Sequence, residues 1–413
     1  MRILFLSQLF DPENSIKGAK FLSKLKENDF EIEVVTTYPS YPLGKIFPEY
    51  KRQKLFMRDF IDGVEVIRLP TFINRSSSSI MRFLSYLSFG IVSFFYLFFF
   101  KKKYDVIYCY YPPVIGGLIG IIFKKIFKTP YIYDVQDLWP EALSAANKLK
   151  KNTFLYGLIE KLIKKIYFEA EHIIVLSNGF KEKLISKGIP SSKITRVYNW
   201  TNEDIRISEK HQSQKVDIFS NGKFNILYAG NIGPSQRLEC ILESAKILSE
   251  KYQNNNVHFW FLGGGLELDS LKNQVRYFKL QNVSFLSWVT PKVASTYMSS
   301  ADALLAHLGN DEILEITIPQ KLQSYMFHKK PILLGINGEA SNLLKEFDFG
   351  INAKSCDVKS LTESILRLSN LDKDHLDNLG QNARNCYDSQ MSMQVGIKTI
   401  RKLLDEFRLN NRS

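Results

Sequence analysis

The sequence predicts an α/β protein of two domains, each a parallel sheet covered by helices, and three observations carry that prediction. The chain has 413 residues, more than one ordinary core accommodates, so two domains of about 200 residues each are expected. Short apolar runs alternate with amphipathic segments through the first half, the βα rhythm of a parallel sheet covered by helices. After a polar stretch near 201–223, read as a linker, the same rhythm begins again.

In the first half, the run 3–6 reads as a short strand and 19–27 carries apolar residues at helical spacing. EIEVVTT at 31–37 and the run 64–69 read as further strands. DVIYCY at 105–110, YIYDV at 131–135, IIVL at 173–176 and the run 196–198 complete the first series. The second series opens with FNILY at 224–228, a glycine turn and a helix over 238–250. VHFWFL at 257–262 is followed by Gly263-Gly264-Gly265 and another helix; 283–286, 303–306 and 331–334 continue it. No short-period repeat is visible, and the serine run 76–79 is brief.

Composition narrows the partners. Hydrophobic residues make up 45%, typical of a folded chain rather than a disordered one. The net charge of +13 is uneven: residues 1–200 carry +12 and residues 201–413 carry +1. The basic residues cluster beside apolar runs, at 101–103, 124–125, 148–151 and 161–165. An anionic surface facing the first half is expected. The neighbours are Ile, Phe and Leu rather than spaced stacking aromatics, which favours lipid over nucleic acid; a solvated basic face is the plain alternative. Residues 83–100 hold no charge and are bracketed by Arg82 and Lys101. That length only just suffices to span a bilayer, and a strand follows almost at once. The expectation is a helix packed on the sheet with one face against lipid. The four cysteines form no CxxC pair, so no zinc ribbon or disulfide framework is indicated and a reducing cytoplasm fits. MRILFLSQLF reads as a strand rather than a secretion signal.

The chemistry is carried by three features at strand ends, where open parallel sheets bind ligands. Gly230-Asn231-Ile232-Gly233 follows the first strand of the second series, and Gly263-Gly264-Gly265 follows the next. Glycines let a backbone approach a ligand, and a following helix offers free N–H groups to phosphate. Neither is a full GxGxxG and no GxxxxGK[ST] occurs, so dinucleotide and P-loop readings lose ground. The third feature is the most specific: EITIPQKLQSYM from Glu315, then Lys329-Lys330-Pro331-Ile332 and Gly338-Glu339-Ala340. Pro319 can open a helix, placing Lys321 and Gln323 near its N-terminus on opposite sides. A cation and open amides there would hold a diphosphate, and an amide side chain could bind a ribose hydroxyl.

This stretch resembles the second domain of the GT-B fold retaining glycosyltransferases of family 4, whose signature is Glu, seven residues, Glu, a helix and a GxPI strand. Glu315 and Gln323 have that spacing, with Gln in the second acid's place. The variant is similar to bacterial transferases of L-fucosamine and related amino sugars in O-antigen and capsule synthesis. The first half agrees: YDVQDLWPE at 133–141 resembles the family's HDLWP segment with Gln136 for its His, and Asn199-Trp200 resembles PNW. Gly18 stands where the family's first glycine loop nears the donor phosphates, and Gly230 to Gln236 resembles GNIGxxQ.

The resemblance implies two Rossmann-like domains facing across a cleft: an acceptor-side domain 1–200 carrying the membrane-associating helix 83–100, a nucleotide-sugar domain 201–390, and a C-terminal helix 391–413 crossing back to the first. It also implies roles. Glu315 contacts the donor sugar, Gln323 the ribose, and Lys321 the diphosphate with Arg237 second. Gly18, Gly230, Asn231, Gly233 and Glu339 complete the donor site. Asp137 orients the acceptor hydroxyl, with Gln136, Glu141 and Asn199 binding the acceptor.

The expected activity is transfer of an N-acetylated amino sugar from a UDP-sugar, with retention, to a polyprenyl-pyrophosphate-linked saccharide. The expected place is peripheral, on the cytoplasmic face of the inner membrane. The UDP-sugar is a co-substrate, no cofactor is expected, and departing charge is neutralised by Lys321, Arg237 and helix N-termini rather than a metal. His172, His258, His307 and His328 show no ligand spacing, and Asp372-Lys373-Asp374 lies in a polar loop. Two alternatives stay open: a nucleotide-sugar 2-epimerase on the same two-sheet plan, and a membrane-docked binding protein with a degenerate site.

Overall fold

The computed structural model describes the chain except residues 14, 27–29, 42–43, 52–54, 75–78, 101, 146–148, 205–216, 253–255 and 411–413. Lys101, Lys148, most of the serine run and the middle of the expected linker lie outside the described residues. The chain divides into two compact units, Met1–Tyr198 with Gly396–Ser413, and Asn199–Val395. Asn199 and Trp200 therefore belong to the second unit instead of closing the first, and the C-terminal part that counts with unit one starts at Gly396.

Unit one contains β1 (Arg2–Ser7), β2 (Glu31–Thr37), β3 (Met57–Ile61), β4 (Val64–Leu69), β5 (Val106–Tyr111), β6 (Tyr131–Val135), β7 (His172–Val175) and β8 (Ile194–Arg196). They form one sheet in the order β3-β4-β2-β1-β5-β6-β7-β8. Every neighbouring pair is parallel except β3 with β4. Strands such as β6 are buried along their whole length, which is why they read as continuous apolar runs rather than alternating ones. The missed strand, β3, is an edge joined to β4 through Asp62 (φ 50°) and Gly63 (φ 77°), an Asp-Gly hairpin turn. β8 begins two residues before the expected 196–198, although Val197 N–H still bonds Val175 O at 2.8 Å.

The helices of this unit are α1 (Ala19–Lys26), α2 (Ser79–Phe100), α3 (Pro113–Phe127), α4 (Glu141–Ala145), α5 (Phe154–Glu169) and α6 (Asn178–Ser186).

Unit two contains β9 (Phe224–Asn231), β10 (Val257–Gly264), β11 (Val283–Leu286), β12 (Ala303–His307), β13 (Ile332–Gly335) and β14 (Gly350–Asn352), ordered β11-β10-β9-β12-β13-β14. All pairs are parallel. Its helices are α7 (Glu239–Glu250), α8 (Leu268–Tyr277), α9 (Pro291–Ser300), α10 (Glu312–Glu315), α11 (Gln320–Phe327), α12 (Glu339–Phe347), α13 (Val358–Ser369) and α14 (Lys373–Cys386). The last helix, α15 (Met393–Asn410), carries the division between units, and its Ile400, Leu403 and Leu404 are buried.

The start of the linker is tied down inside unit two. Glu203 accepts from Tyr387 Oη at 2.6 Å and from Met393 N–H at 2.8 Å. The core of this unit is the layer between its sheet and α7 and α13, filled by Tyr228, Phe261, Ile241, Leu248, Leu361 and Ile365.

Candidate active site

β9 lies inside the second sheet, with β10 and β11 on one side and β12, β13 and β14 on the other. Its carboxyl end is the topological switch point, where such sheets leave a crevice for ligands. The two glycine features meet there: Gly230 pairs with Gly263 and Asn231 with Gly264 in register. Gly263 has φ 140°, and a Cβ on it would lie 2.1 Å from Gly230 O. Gly265 has φ 152° and the same relation to Ile232 O at 2.2 Å. The glycine at 263 is thus required by backbone approach between strands, not only by a ligand.

Lys321 occupies the first turn of α11 and reaches over this strand end. Its ammonium donates to Tyr228 Oη and lies 3.7 Å from the centre of that ring. Tyr228 Oη in turn donates to Asn231 O. Tyr325, one turn further along α11, fixes the same strand by bonding Ala229 O at 3.0 Å and Ala229 N–H at 2.8 Å. No carboxylate among the described residues pairs with Lys321. Burial alone brings its pKa down to about 7. A largely buried cation without a counter-ion, beside a glycine turn, is suited to receive a diphosphate.

The other donor-side residues surround this point unequally. Glu315 closes α10, and its Oε1 faces Asn337 Nδ2 at 3.4 Å. Gly338 (φ 71°) packs so close that a Cβ would sit 2.2 Å from Glu315 O, which brings Glu339 at the start of α12 beside Glu315. Gln323 is buried, and in the orientation that satisfies its surroundings its amide donates to Pro319 O at 2.9 Å and Gln320 O at 2.7 Å. It therefore serves its own helix, instead of standing open opposite Lys321. Pro319 is the residue before the helix rather than its first.

Arg237, in the left-handed region at φ 47°, donates to Glu239, so part of its charge is already answered. Gln236 accepts from Gly233 N–H at 3.0 Å and shapes the loop that carries Asn231 and Gly233.

In unit one the residues expected at the acceptor lie past the end of β6. Asp137 retains solvent-exposed surface, makes no hydrogen bond among the described residues, and is ringed by enough protein to raise its carboxyl above the usual range. Gln136 instead turns inward and donates to Asp134 at 2.6 Å. Asp134 is the anchor of a buried group that sequence reading missed: Lys17 pairs with it, and Tyr108 Oη donates to it. Lys17 and Asp134 are fully buried, and Lys17 lies 5.5 Å from the centre of the Tyr110 ring.

Glu141 is ion-paired with Lys187, a structural tie between α4 and the end of α6. Gly18 stands before α1, where a Cβ would strike the Asp11 carboxylate at 2.1 Å; that carboxylate already accepts from Ala19 N–H at 2.6 Å. Asn199 is buried beside Trp200 and counts with unit two.

α2 presents two faces. Ser85, Phe89, Ser93, Tyr96 and Leu97 are buried, while Leu84, Leu87, Ile91, Phe95, Phe98 and Phe99 are exposed. The exposed face continues onto α3 through Phe98 and Phe127, whose ring centres are 6.3 Å apart, and Lys125 and Lys128 at the end of α3 are exposed. By length and composition 80–100 suffices to cross a membrane, with 28% of its apolar window buried.

Two expectations about metal-type residues can be placed. Asp372 caps α14 by accepting from His375 N–H at 2.9 Å, on an exposed surface. His307, by contrast, ends β12 close to Cys240 and Cys356, a grouping that their sequence separation hid.

Two family profiles match the chain: a glycosyl transferase 4-like domain over residues 20–200 and glycosyl transferases group 1 over residues 209–386. Among curated relatives, WbjE of Pseudomonas aeruginosa, named a glycosyltransferase, is 23% identical over 280 residues, 67% of this chain and 69% of that protein. WcaI of Escherichia coli (strain K12), named as a colanic acid biosynthesis glycosyl transferase, is 24% identical over 298 residues, 69% and 71% of the two chains. Among solved structures, Anabaena HepE in complex with UDP has a TM-score of 0.69 at 17% identity, covering 98% of this chain and 100% of that one. Sucrose-phosphate synthase from Thermosynechococcus elongatus has a TM-score of 0.74 at 14% identity over 100% of both chains. At these identities the structural likenesses establish the two-unit α/β fold.

Proposed function

We infer the activity from one premise: the chain belongs to the GT-B glycosyltransferases of family 4, its two halves matching the 4-like and group 1 domains in turn. Its relatives include a protein named for polysaccharide biosynthesis. On that premise it transfers a sugar, an N-acetylated amino sugar, from a UDP-sugar to a polyprenyl-pyrophosphate-linked saccharide, with retention. The observation that carries the donor class is Lys321, a largely buried ammonium with no carboxylate partner among the described residues, at the switch point of the second sheet. The HepE structures in complex with UDP and with UDP-glucose support the same class.

In this reading the bond from the anomeric carbon to the diphosphate oxygen breaks first. The departing charge falls on Lys321 and on the open first-turn amides of α11, which stabilise it where it develops. Glu315 and Glu339 hold sugar hydroxyls. Asp137 orients the acceptor hydroxyl, which attacks the face that the diphosphate leaves; its proton passes to a diphosphate oxygen. No glycosyl-enzyme forms.

The acceptor class rests on the exposed face of α2 and the lysines near it. Aromatic and aliphatic side chains on one helix face with basic flanks fit an anionic bilayer interface. It supports a peripheral position on the cytoplasmic face of the inner membrane.

The deciding experiment incubates the full chain with a panel of UDP-N-acetyl amino sugars and a lipid-linked GlcNAc acceptor, and analyses the products. A disaccharide with the donor's anomeric configuration is expected. An inverted linkage removes retention, C2 inversion of the donor indicates an epimerase, and UDP binding without turnover indicates a binding protein.

A further inference from the structure

Outside the donor residues, unit two brings together three side chains that nothing in a transfer reaction uses. Cys240 lies in the first turn of α7, His307 at the end of β12, and Cys356 in the loop after β14. One ligand atom from each lies within 4.8 Å of the others. A tetrahedral zinc ion with Zn–S of about 2.3 Å and Zn–N of about 2.0 Å needs separations of about 3.5–3.8 Å between its ligand atoms. The three groups are thus close to that geometry, and a small contraction completes it.

The histidine is already set for a metal. Its Nδ1 lies 2.7 Å from Gln236 O, a carbonyl that can only accept, so Nδ1 carries the proton. The other nitrogen, Nε2, is left with its lone pair directed at the cysteines. Among the described residues its sole hydrogen-bond contact there is a long one, 3.4 Å, from Cys356 N–H. A ligating imidazole that donates its second N–H to a backbone carbonyl is the usual outer-shell arrangement of zinc sites. Cys356 is also held in the left-handed region, at φ 57°, a conformation unusual for a residue with a side chain. Gly335 has room for His307 only because it lacks a Cβ, which would lie 2.2 Å from the imidazole Cδ2.

We propose that Cys240, His307 and Cys356 bind a zinc ion. Two thiolates and an imidazole select a soft or borderline d¹⁰ cation over magnesium or calcium. Three protein ligands leave a fourth position for water. The ion joins the start of α7, the end of β12 and the loop after β14, and through His307 it fixes Gln236 in the glycine loop of the switch point. Its role is structural: charge neutralisation during transfer stays with Lys321.

The test uses the full chain, reduced and stripped with a chelator that is then removed. Titration with Co(II) is expected to give thiolate-to-metal charge-transfer absorption and tetrahedral d–d bands that saturate at one equivalent and disappear on addition of Zn(II). Cys109 and Cys386 are buried elsewhere and cannot supply a second such site. Zn(II) is expected to raise the melting temperature of the wild type by several degrees. Cys356→Ser and Cys240→Ala are each expected to weaken Co(II) binding at least 100-fold while their metal-free melting temperatures stay near that of the wild type. A reduced wild-type chain with no charge-transfer band overturns the proposal. So does a band of equal intensity in Cys356→Ser, or in Cys240→Ala should the first variant fail to fold. If the isolated chain instead carries a Cys240–Cys356 disulfide and takes up no metal after reduction, the pair is a redox couple and the zinc site is wrong.

Discussion

At the scale of single residues, Lys321 concentrates the consequences. Its ammonium titrates near 7 in the free protein, whereas an unfolded lysine holds its proton to about 10.4. Between these values the unfolded chain binds more protons, so this residue's contribution to stability rises with pH across that window and is lost below pH 7. Donor binding has the opposite dependence, since a diphosphate needs the charged form. UDP affinity, measured by calorimetry, is expected to fall by up to about tenfold per pH unit above 7. Lys321→Met is expected to bind UDP about 10–100-fold more weakly at pH 7 and to lose that pH dependence between 7 and 9. Asp137 offers a second measurement. It has no hydrogen-bond partner among the described residues, so Asp137→Asn should unfold within about 0.5 kcal/mol of the wild type. Turnover should drop about 10²-fold or more if its carboxylate orients the acceptor. Unchanged turnover removes that role. Gly263 answers to packing instead: Gly263→Ala sets a Cβ 2.1 Å from a strand carbonyl and should destabilise unit two by about 2 kcal/mol or more in denaturant titration.

At the scale of elements, α2 shows what a charge-free run can and cannot say. The sequence marks its length and lack of charge, but Ser85 and Ser93 on the buried face and Phe95 and Phe99 on the exposed one reverse the usual pattern. The small serines let the helix lie close to the sheet, and Ser85 Oγ accepts from Gln8 Nε2 at 3.1 Å there. Replacing Phe95 and Phe99 by Ser is expected to cut partition into anionic vesicles at least tenfold with little change in melting temperature, because neither residue is in the core. Equal sedimentation of the variant and the wild type would remove the membrane face. α11 was legible as a helix opened near Pro319, yet its two polar residues behave differently from their spacing. Lys321 lies over Tyr228, whereas Gln323 is consumed by the carbonyls of Pro319 and Gln320.

At the scale of the whole molecule, the chain's end matters to the unit that contains its beginning. Gly396–Ser413 counts with unit one, and Ile400, Leu403 and Leu404 are buried there. Leu403 and Phe407 help to line a cavity of about 460 Å³ with Lys124, Pro130, His172 and Ser192. Truncation after Val395 is expected to lower the stability of unit one by about 5 kcal/mol, from three large side chains at about 1.5–3 kcal/mol each. Hydrogen exchange should then accelerate in β6 and β7 while β9 and β12 keep their protection. The uneven charge of the two halves adds a further expectation: vesicle binding should weaken as salt rises from 50 to 500 mM, as the screening length falls from about 14 Å to about 4 Å.

The sequence by itself determined the two sheets of mainly parallel strands and the glycosyltransferase family. Those features rest on local periodicity and on short contiguous motifs, which a linear reading captures. It also pointed to the strand ends where Gly230, Lys321, Glu315 and Glu339 lie. Only the tertiary structure decided which of the expected site residues have partners of their own. Gln136, Glu141 and Gln323 are taken up by Asp134, Lys187 and the first turn of α11, and Gly18 is shaped to fit Asp11. The same holds for Tyr228 under Lys321, the buried Lys17–Asp134 pair, and Cys240 with His307 and Cys356. Each of these joins residues from different strands or loops. Side-chain partners separated by tens of residues are set by strand order and register, and no local pattern in a chain records those.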